Sequence, residues 1–415
     1  MNTRVSTVGA AVRGRPRVEN IGGEREGGHG GPPLQKLLYV GDVPVEASYH
    51  GSALLYRWLS DYPPERLTII ETAMQSETSR RLPQVNYLSC PIANQRWLNT
   101  RVHPYVSAWF THAGKRSAPR ITQSLNGFEF QSVLTVAHGF GWLAAAEIAK
   151  TRSVPLHLIV HDDWPRIANV APAFRKSLDQ SFASVYRQAR SRLCVSPAMT
   201  RTYGERYGQP AQTIYPSRTA TCPQYNAPPA RIASNDHAFT IAFAGTINSC
   251  GYIRALIALE AALKPVGGCL LIFGPTTQAE ALGLNNAEVR GLLPATELLT
   301  TLRNEADALF VPMSSDPADR SNMEMAFPSK LADYTATGLP LLIYGPAYCS
   351  AVTWARENQD VAVIVDNEET LPEAITDLAH NPDTRLKLGQ RALDVGNKSF
   401  THDRAQQIFH QSLSA

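Results

Sequence analysis

A lysine and a carboxylate three residues apart, Lys330 and Asp333, sit in the segment Ala326-Phe-Pro-Ser-Lys-Leu-Ala-Asp-Tyr-Thr-Ala-Thr-Gly-Leu-Pro340. Pro328 suits a first helical position and Gly338 the residue just past the end, so the pattern predicts a loop, a short helix and a stop. Leu331, Tyr334 and Thr335, with Phe327 ahead of them, recur at helical spacing and are expected to face a core, with Lys330, Asp333 and Thr337 on the other side. A lysine in the first turn opposes the helix dipole, and Lys before Asp is the weaker order for an ion pair. Beside the free N–H groups of a helix start at Ser329, that lysine makes an anion site, and a carboxylate one turn further in can accept hydrogen bonds from sugar hydroxyls. A solvated amphipathic helix is the plain alternative.

Further polar residues stand where apolar runs end. Ser132-Val-Leu-Thr-Val-Ala137 delivers His138-Gly139, and Leu156-His-Leu-Ile-Val160 delivers His161-Asp-Asp-Trp164. In a parallel α/β sheet the carboxyl ends of strands form the ligand edge, so both histidines are candidates, against the alternative of satisfied structural residues. Gly245-Thr246 closes the run Thr240-Ile-Ala-Phe-Ala244 ahead of a helical stretch carrying Arg254. A glycine there lets backbone approach a phosphate, or marks a simple turn. Phe273-Gly274-Pro275 and Gly291-Leu292-Leu-Pro294 end later elements, and His50-Gly51 opens a helix behind the first strand. Neither a G-x-G-x-x-G fingerprint nor a phosphate-binding Walker loop is present, which argues against an NAD-linked enzyme.

The stretch from Ala326 to Pro340 resembles the nucleotide-sugar helix of family 4 glycosyltransferases of the GT-B fold. The resemblance covers about residues 36 to 413 and is strongest over 240 to 365. In that family an E-x7-E pattern precedes an Ala-rich turn and Gly-x-Pro; Asp333 takes the place of the second glutamate. Eight residues earlier stands Met325, with Glu324 one place off. The resemblance implies two doubly wound Rossmann-like α/β domains facing a cleft. It implies that Gly245, Thr246, Arg254, Gly274, Leu292, Ser329, Lys330 and Asp333 bind the donor, with the phosphates on Lys330 and the ribose on Asp333. His161 is the implied catalytic contact to the sugar, and His50, Gly51 and His138 the acceptor side.

The elements that must carry these residues follow the alternation of strand and helix expected of such a fold. At 415 residues the chain suits two domains of ordinary size. Residues 1–34, rich in Gly, Pro and Arg with almost no large apolar side chains, are expected to be a disordered tail. Residues 35–218 are read as the acceptor-side domain, 219–238 as a Pro- and Ala-rich linker, 239–398 as the nucleotide-sugar domain and 399–415 as a helix crossing back to the first. Six singly spaced cysteines suggest buried thiols without disulfide or structural metal. No apolar run reaches the roughly 18 residues of a membrane span, so the chain is expected in the cytoplasm. Charged residues are 18% and hydrophobic residues 44%, which argues against a disordered or nucleic-acid-coating protein, while a net charge of +3 permits attraction to anionic nucleotides or lipid headgroups without demanding it.

Between Gln95 and Phe110, Trp97, Leu98, Val102, Tyr105, Val106 and Trp109 recur at helical spacing, with Pro104 expected to kink or break the helix. Such a stripe is usually core, and otherwise an aromatic surface for an acceptor, a partner or a membrane interface, which keeps peripheral membrane association open.

The expectation is therefore transfer of a sugar from a nucleotide-diphosphate donor to a glycan, lipid or small-molecule hydroxyl, with retention, no tightly bound cofactor, no required metal and no nucleic-acid partner. A non-catalytic GT-B binding subunit, suggested by Met325, is the alternative.

Overall fold

A computed structural model describes residues 34–414 except 48–49, 74–79, 93–94, 248, 277–279 and 281–282. The tail expected over 1–34 therefore lies, as far as residue 33, outside the described residues. The first half carries seven strands: β1 (Leu37–Gly41), β2 (Leu67–Glu71), β3 (Asn86–Ser89), β4 (Ser132–Val136), β5 (Leu156–Val160), β6 (Ser191–Cys194) and β7 (Gln212–Thr213). They form one sheet in the order β3-β2-β1-β4-β5-β6-β7, parallel throughout. The second half carries β8 (Thr240–Ala244), β9 (Cys269–Phe273), β10 (Ala287–Val289), β11 (Ala308–Pro312), β12 (Leu341–Tyr344) and β13 (Val363–Val365), again parallel, in the order β10-β9-β8-β11-β12-β13.

Each sheet thus reverses direction once, between β1 and β4 and between β8 and β11. At such a switch point the loops beyond the carboxyl ends diverge and leave a crevice, so two crevices are built into the chain. β1, β2, β4, β5, β8 and β11 are buried along their whole length, because helices cover both faces, and this is why they read as unbroken apolar runs. The edge strands β3, β7 and β10 were not legible in that way. They are short, half-exposed and partly polar, and carry no apolar run.

The aromatic stripe over 95–110 is oriented opposite to the usual expectation. Helix His103–Arg116 buries Ser107, Phe110, Thr111 and Gly114, while Trp97, Val102, Tyr105 and Trp109 are exposed. Pro104 stands in its first turn, where it begins the helix without kinking it. Of the cysteines, Cys194 and Cys349 are buried as expected, but Cys250, first in helix Cys250–Leu263, is exposed.

The last helix, His402–Ser414, packs on helix His50–Leu59 near the start of the chain. Trp58 stacks on Phe409 at 6.2 Å, Tyr62 meets His410 edge-on, and the His402 Nε2 lies 2.7 Å from Asp61 Oδ2. Residues 219–238 are tied down where Arg303 donates to the Ala227 carbonyl and lies over the Tyr225 ring, and where Arg385 donates to Ile232 and Ser234 carbonyls.

Candidate donor and acceptor site

The lysine picked out by its spacing reaches the crevice of the second sheet. Gly245, immediately after β8, has φ +144°, a conformation that side chains with a Cβ rarely adopt. A Cβ placed there would lie 3.4 Å from Lys330 Nζ. The ammonium sits over the Phe243 ring at 4.2 Å and the Tyr252 ring at 5.4 Å. Burial pushes its amine down to about 7, with no carboxylate acting against that shift. Aromatic faces hold the lysine in place while leaving its charge for a ligand.

Several neighbours fix that corner. Tyr334 hydroxyl accepts from the Ala244 N–H at 2.6 Å, which pins the end of β8 and so the position of Gly245. Gly274 lies against the Gly245 carbonyl, which a Cβ at 274 would approach to 2.4 Å, and its N–H donates to Gly291. Thr246 follows Gly245 in the same loop, and Leu292 is exposed beyond Gly291.

Other donor-side expectations change. The helix is shorter than read, Lys330–Tyr334, with Ser329 exposed ahead of it. Thr337 is buried, because its hydroxyl donates to Tyr334 carbonyl and accepts from Leu339 N–H within the turn. Arg254 is exposed and 3.6 Å from Asp316, so its charge is already engaged. Asp333 receives both guanidinium nitrogens of Arg57, at 3.1 and 3.0 Å, from helix His50–Leu59. Sequence reading missed Arg57, since nothing in the local pattern marks an arginine whose partner lies 276 residues away. Met325 is buried with its carbonyl accepting from Ser196, and Glu324 pairs with Arg320 at 2.9 Å on an exposed face.

In the first sheet, His138 follows β4 and His161 follows β5, which brings the two rings to 5.6 Å. Asp162, which the sequence pattern did not mark as a site residue, lies between them: its Oδ2 is 3.1 Å from His161 Nε2 and 3.8 Å from His138 Nδ1. Burial would raise the Asp162 carboxyl, but the two imidazoles hold it well below the usual range. Burial likewise works against a charged His138, but Asp162 and then Asp42 raise its imidazole above its ordinary value. Among the described residues these three form the one group whose metal-ligating atoms all lie within 4.8 Å of one another. Asp42, at the end of β1, accepts from the Phe140 and Gly141 N–H groups and from Thr72, which ties the β1 loop to the β4 loop.

Gly51 explains how His161 fits. A Cβ at 51 would come within 2.6 Å of His161 Cε1 and 3.0 Å of Nδ1, so only glycine lets the start of helix His50–Leu59 lie against the ring. His161 Nδ1 is buried without a hydrogen-bond partner among the described residues. His50 opens the same helix; its side chain lies outside the described residues.

The two crevices are joined behind the histidines. Buried Asp163 accepts from Tyr203 and Arg206, each at 3.0 Å, and from Ser321, while its N–H donates to Asn322 Oδ1 at 3.0 Å. Asn322 also donates to Asp162 at 3.3 Å. Helix Arg320–Met325 of the second half therefore positions the strand end that carries His161.

No protein-family model and no curated protein sequence matches this chain. Among solved structures, HepE of Anabaena with UDP and glucose is similar over 92% of this chain and 99% of its own, at 12% identity and TM-score 0.64. A UDP-forming α,α-trehalose-phosphate synthase from Burkholderia xenovorans is similar over 92% of this chain and 100% of its own, at 12% identity and TM-score 0.63. WaaG, a glycosyltransferase of lipopolysaccharide biosynthesis, is similar over 90% and 99%, at 13% identity and TM-score 0.59. Together with the two switch-point sheets, these similarities define the chain as a two-domain GT-B fold, as the resemblance implied.

Proposed function

We propose that this chain is a glycosyltransferase that moves a sugar from a nucleotide-diphosphate donor to an acceptor hydroxyl with retention of configuration. The observation that carries this reading is Lys330: a half-buried ammonium, held by two aromatic rings at the strand-end glycine of a switch point, with burial as the only influence on its titration. A diphosphate is the ligand chemistry that such a cation accommodates beside Gly245, whose own N–H is given to the Phe273 carbonyl. Asp333 can hold the ribose through the carboxylate lone pairs that Arg57 leaves free. His161, oriented by Asp162 and with Nδ1 unpartnered, contacts the sugar as the anomeric carbon becomes oxocarbenium-like and the diphosphate departs towards Lys330. His138, Gly51 and His50 border the acceptor, a glycan, lipid or small molecule, with peripheral membrane association part of the reading. No step calls for a metal.

A binding subunit without transfer activity is the second reading, supported by buried Met325 and by Glu324 being engaged with Arg320. Calorimetric titration with UDP, GDP, ADP, CMP and their sugar conjugates tests the donor pocket. Binding of one nucleotide, weakened by about 1–3 kcal/mol in Lys330→Ala, supports it; no binding by the folded protein overturns it. Donor turnover measured on the same sample separates enzyme from binding subunit.

A further inference from the structure

Helix His103–Arg116 presents Tyr105 and Trp109 outwards and buries Phe110. Tyr105 and Trp109 are 66% and 59% exposed, and Trp97, in the turn before it, 58%. Small or single inward residues explain this: Gly114 lets the helix back lie against Phe140 and Leu143, and Phe110 fills the remaining space against Phe140. Tyr105 and Trp109 border a groove of about 770 Å³, which continues to exposed Phe174 at the start of helix Pro172–Gln188.

The charge around the groove has one sign. Residues 91–128 contain Arg96, Arg101, Lys115, Arg116 and Arg120 and no Asp or Glu. Arg116 and Arg120 line the groove itself, and Lys115 is exposed beside them. Arg175 and Lys176, one turn into helix Pro172–Gln188, add exposed positive charge from the far wall. A chain with a net charge of only +3 has thus placed much of its basic excess around its exposed aromatic rings.

We infer that this face docks on the interfacial region of an anionic phospholipid bilayer, with Trp97, Tyr105 and Trp109 entering the headgroup–acyl boundary and the basic residues meeting lipid phosphates. The inference deepens the proposed function by placing its acceptor at a membrane, and it rests on that reading only for that placement. Aromatic rings with a polar edge favour the interface, and a rim of Lys and Arg is attracted by anionic lipid over about a Debye length. Self-association through the face would set one basic rim against another, which disfavours a second copy as the occupant. Among the described residues no helix is long and apolar enough to cross a membrane. The inner side of the same helix leads towards the site: Phe110 meets Phe140 at 5.6 Å, Phe140 meets Trp164 at 6.0 Å, and Trp164 meets His138 at 5.5 Å.

The test is co-sedimentation of the full chain with phosphatidylcholine vesicles with and without 30–40% phosphatidylglycerol (about the anionic fraction that gives a strong surface potential). Binding to anionic vesicles, falling at least about tenfold between low and high salt and in both Tyr105→Ser/Trp109→Ser and Lys115→Glu/Arg116→Glu, supports the inference. Circular dichroism and nucleotide titration of the variants establish that they fold and retain the separate donor pocket. No vesicle binding by the wild type, or binding unchanged in both variants, overturns it. So does a concentration-dependent dimer that Tyr105→Ser/Trp109→Ser abolishes, or tighter capture of a single-stranded oligonucleotide than of vesicles. Failure of the donor reading would appear instead as loss of nucleotide binding with vesicle binding intact.

Discussion

Arg57 and Asp333, separated by 276 residues, meet as a two-point ion pair at 3.1 and 3.0 Å that joins helix His50–Leu59 to helix Lys330–Tyr334. Arg57 also donates to the Ser217 carbonyl, and its own carbonyl accepts from Gln406 of the last helix at 2.9 Å. Asp333 and Ser217 therefore meet the guanidinium and Gln406 the backbone carbonyl, so three segments distant in sequence converge on one residue. Arg57→Ala leaves a half-buried carboxylate unpaired and is expected to destabilise the protein by about 1–3 kcal/mol. Adding Asp333→Ala is expected to recover part of that loss. Denaturant unfolding of the four members of the cycle measures the coupling, and strict additivity would show that the pair contributes nothing.

Lys330 should make both stability and ligand affinity depend on pH. Its folded pKa of about 7 lies below the ordinary lysine value of about 10.4. Between these values the unfolded chain binds the extra proton, so this group's contribution to stability rises as pH rises through that window; below 7 its full penalty applies. A bound diphosphate reverses the preference by favouring the ammonium. Nucleotide binding should then take up a proton above pH 7, and affinity should fall as pH rises. Titration calorimetry in buffers of different ionisation enthalpy reads the proton uptake directly, and Lys330→Met is expected to abolish it.

The Asp162 carboxylate stands between His138 and His161 and holds the His161 ring from one side, while Gly51 makes room on the other. Asp162→Asn removes the charge that raises the His138 imidazole, so its NMR titration midpoint should fall. Turnover is expected to drop roughly 10- to 100-fold with little change in donor affinity, the usual cost of losing a group that orients a site residue. Gly51→Ala should act on the same ring by contact alone and lower turnover while leaving the His138 titration in place. Wild-type turnover in both variants would make His161 a structural residue.

The last helix is fastened to the first through His402 and Asp61. A hydrogen bond from His402, opposed by burial and helped by the imidazole's charge, lowers the Asp61 carboxyl below its ordinary value. A lowered carboxylate stabilises the fold above its unfolded pKa of about 3.9, and that contribution disappears as pH falls through the lower folded value. Asp61→Asn is therefore expected to flatten the loss of thermal stability on the acid side of pH 4. Melting curves from pH 3 to 6 for the two proteins make the comparison.

Periodicity and punctuation determined much of this protein. Strands buried on both faces, such as Leu37–Gly41 and Leu156–Val160, read as unbroken apolar runs because no solvent-facing positions interrupt them. Parallel strands alternating with helices then bring His138, His161 and Gly245 to carboxyl edges, so their place at those ends was legible from the sequence. Lys330 was legible because a lysine is a poor choice for the first turn of a helix unless a ligand or a distant ring favours it. The edge strands β3, β7 and β10 were illegible, since half-exposed, partly polar segments carry no period to detect, whereas the edge strand β13 was read from its apolar run. The outward turn of Tyr105 and Trp109 was undecided, because an apolar stripe specifies one face of a helix but not what covers it. Only tertiary structure could give Asp333 its partner Arg57, set Asp162 between two histidines, bury Thr337 and engage Arg254 with Asp316. Thr337 is satisfied within its own turn and His161 neighbours Asp162, but the pairings of Arg57 with Asp333, His138 with Asp162 and Arg254 with Asp316 join segments tens to hundreds of residues apart. A sequence specifies each group's chemistry locally, but the folded chain alone decides which group faces it.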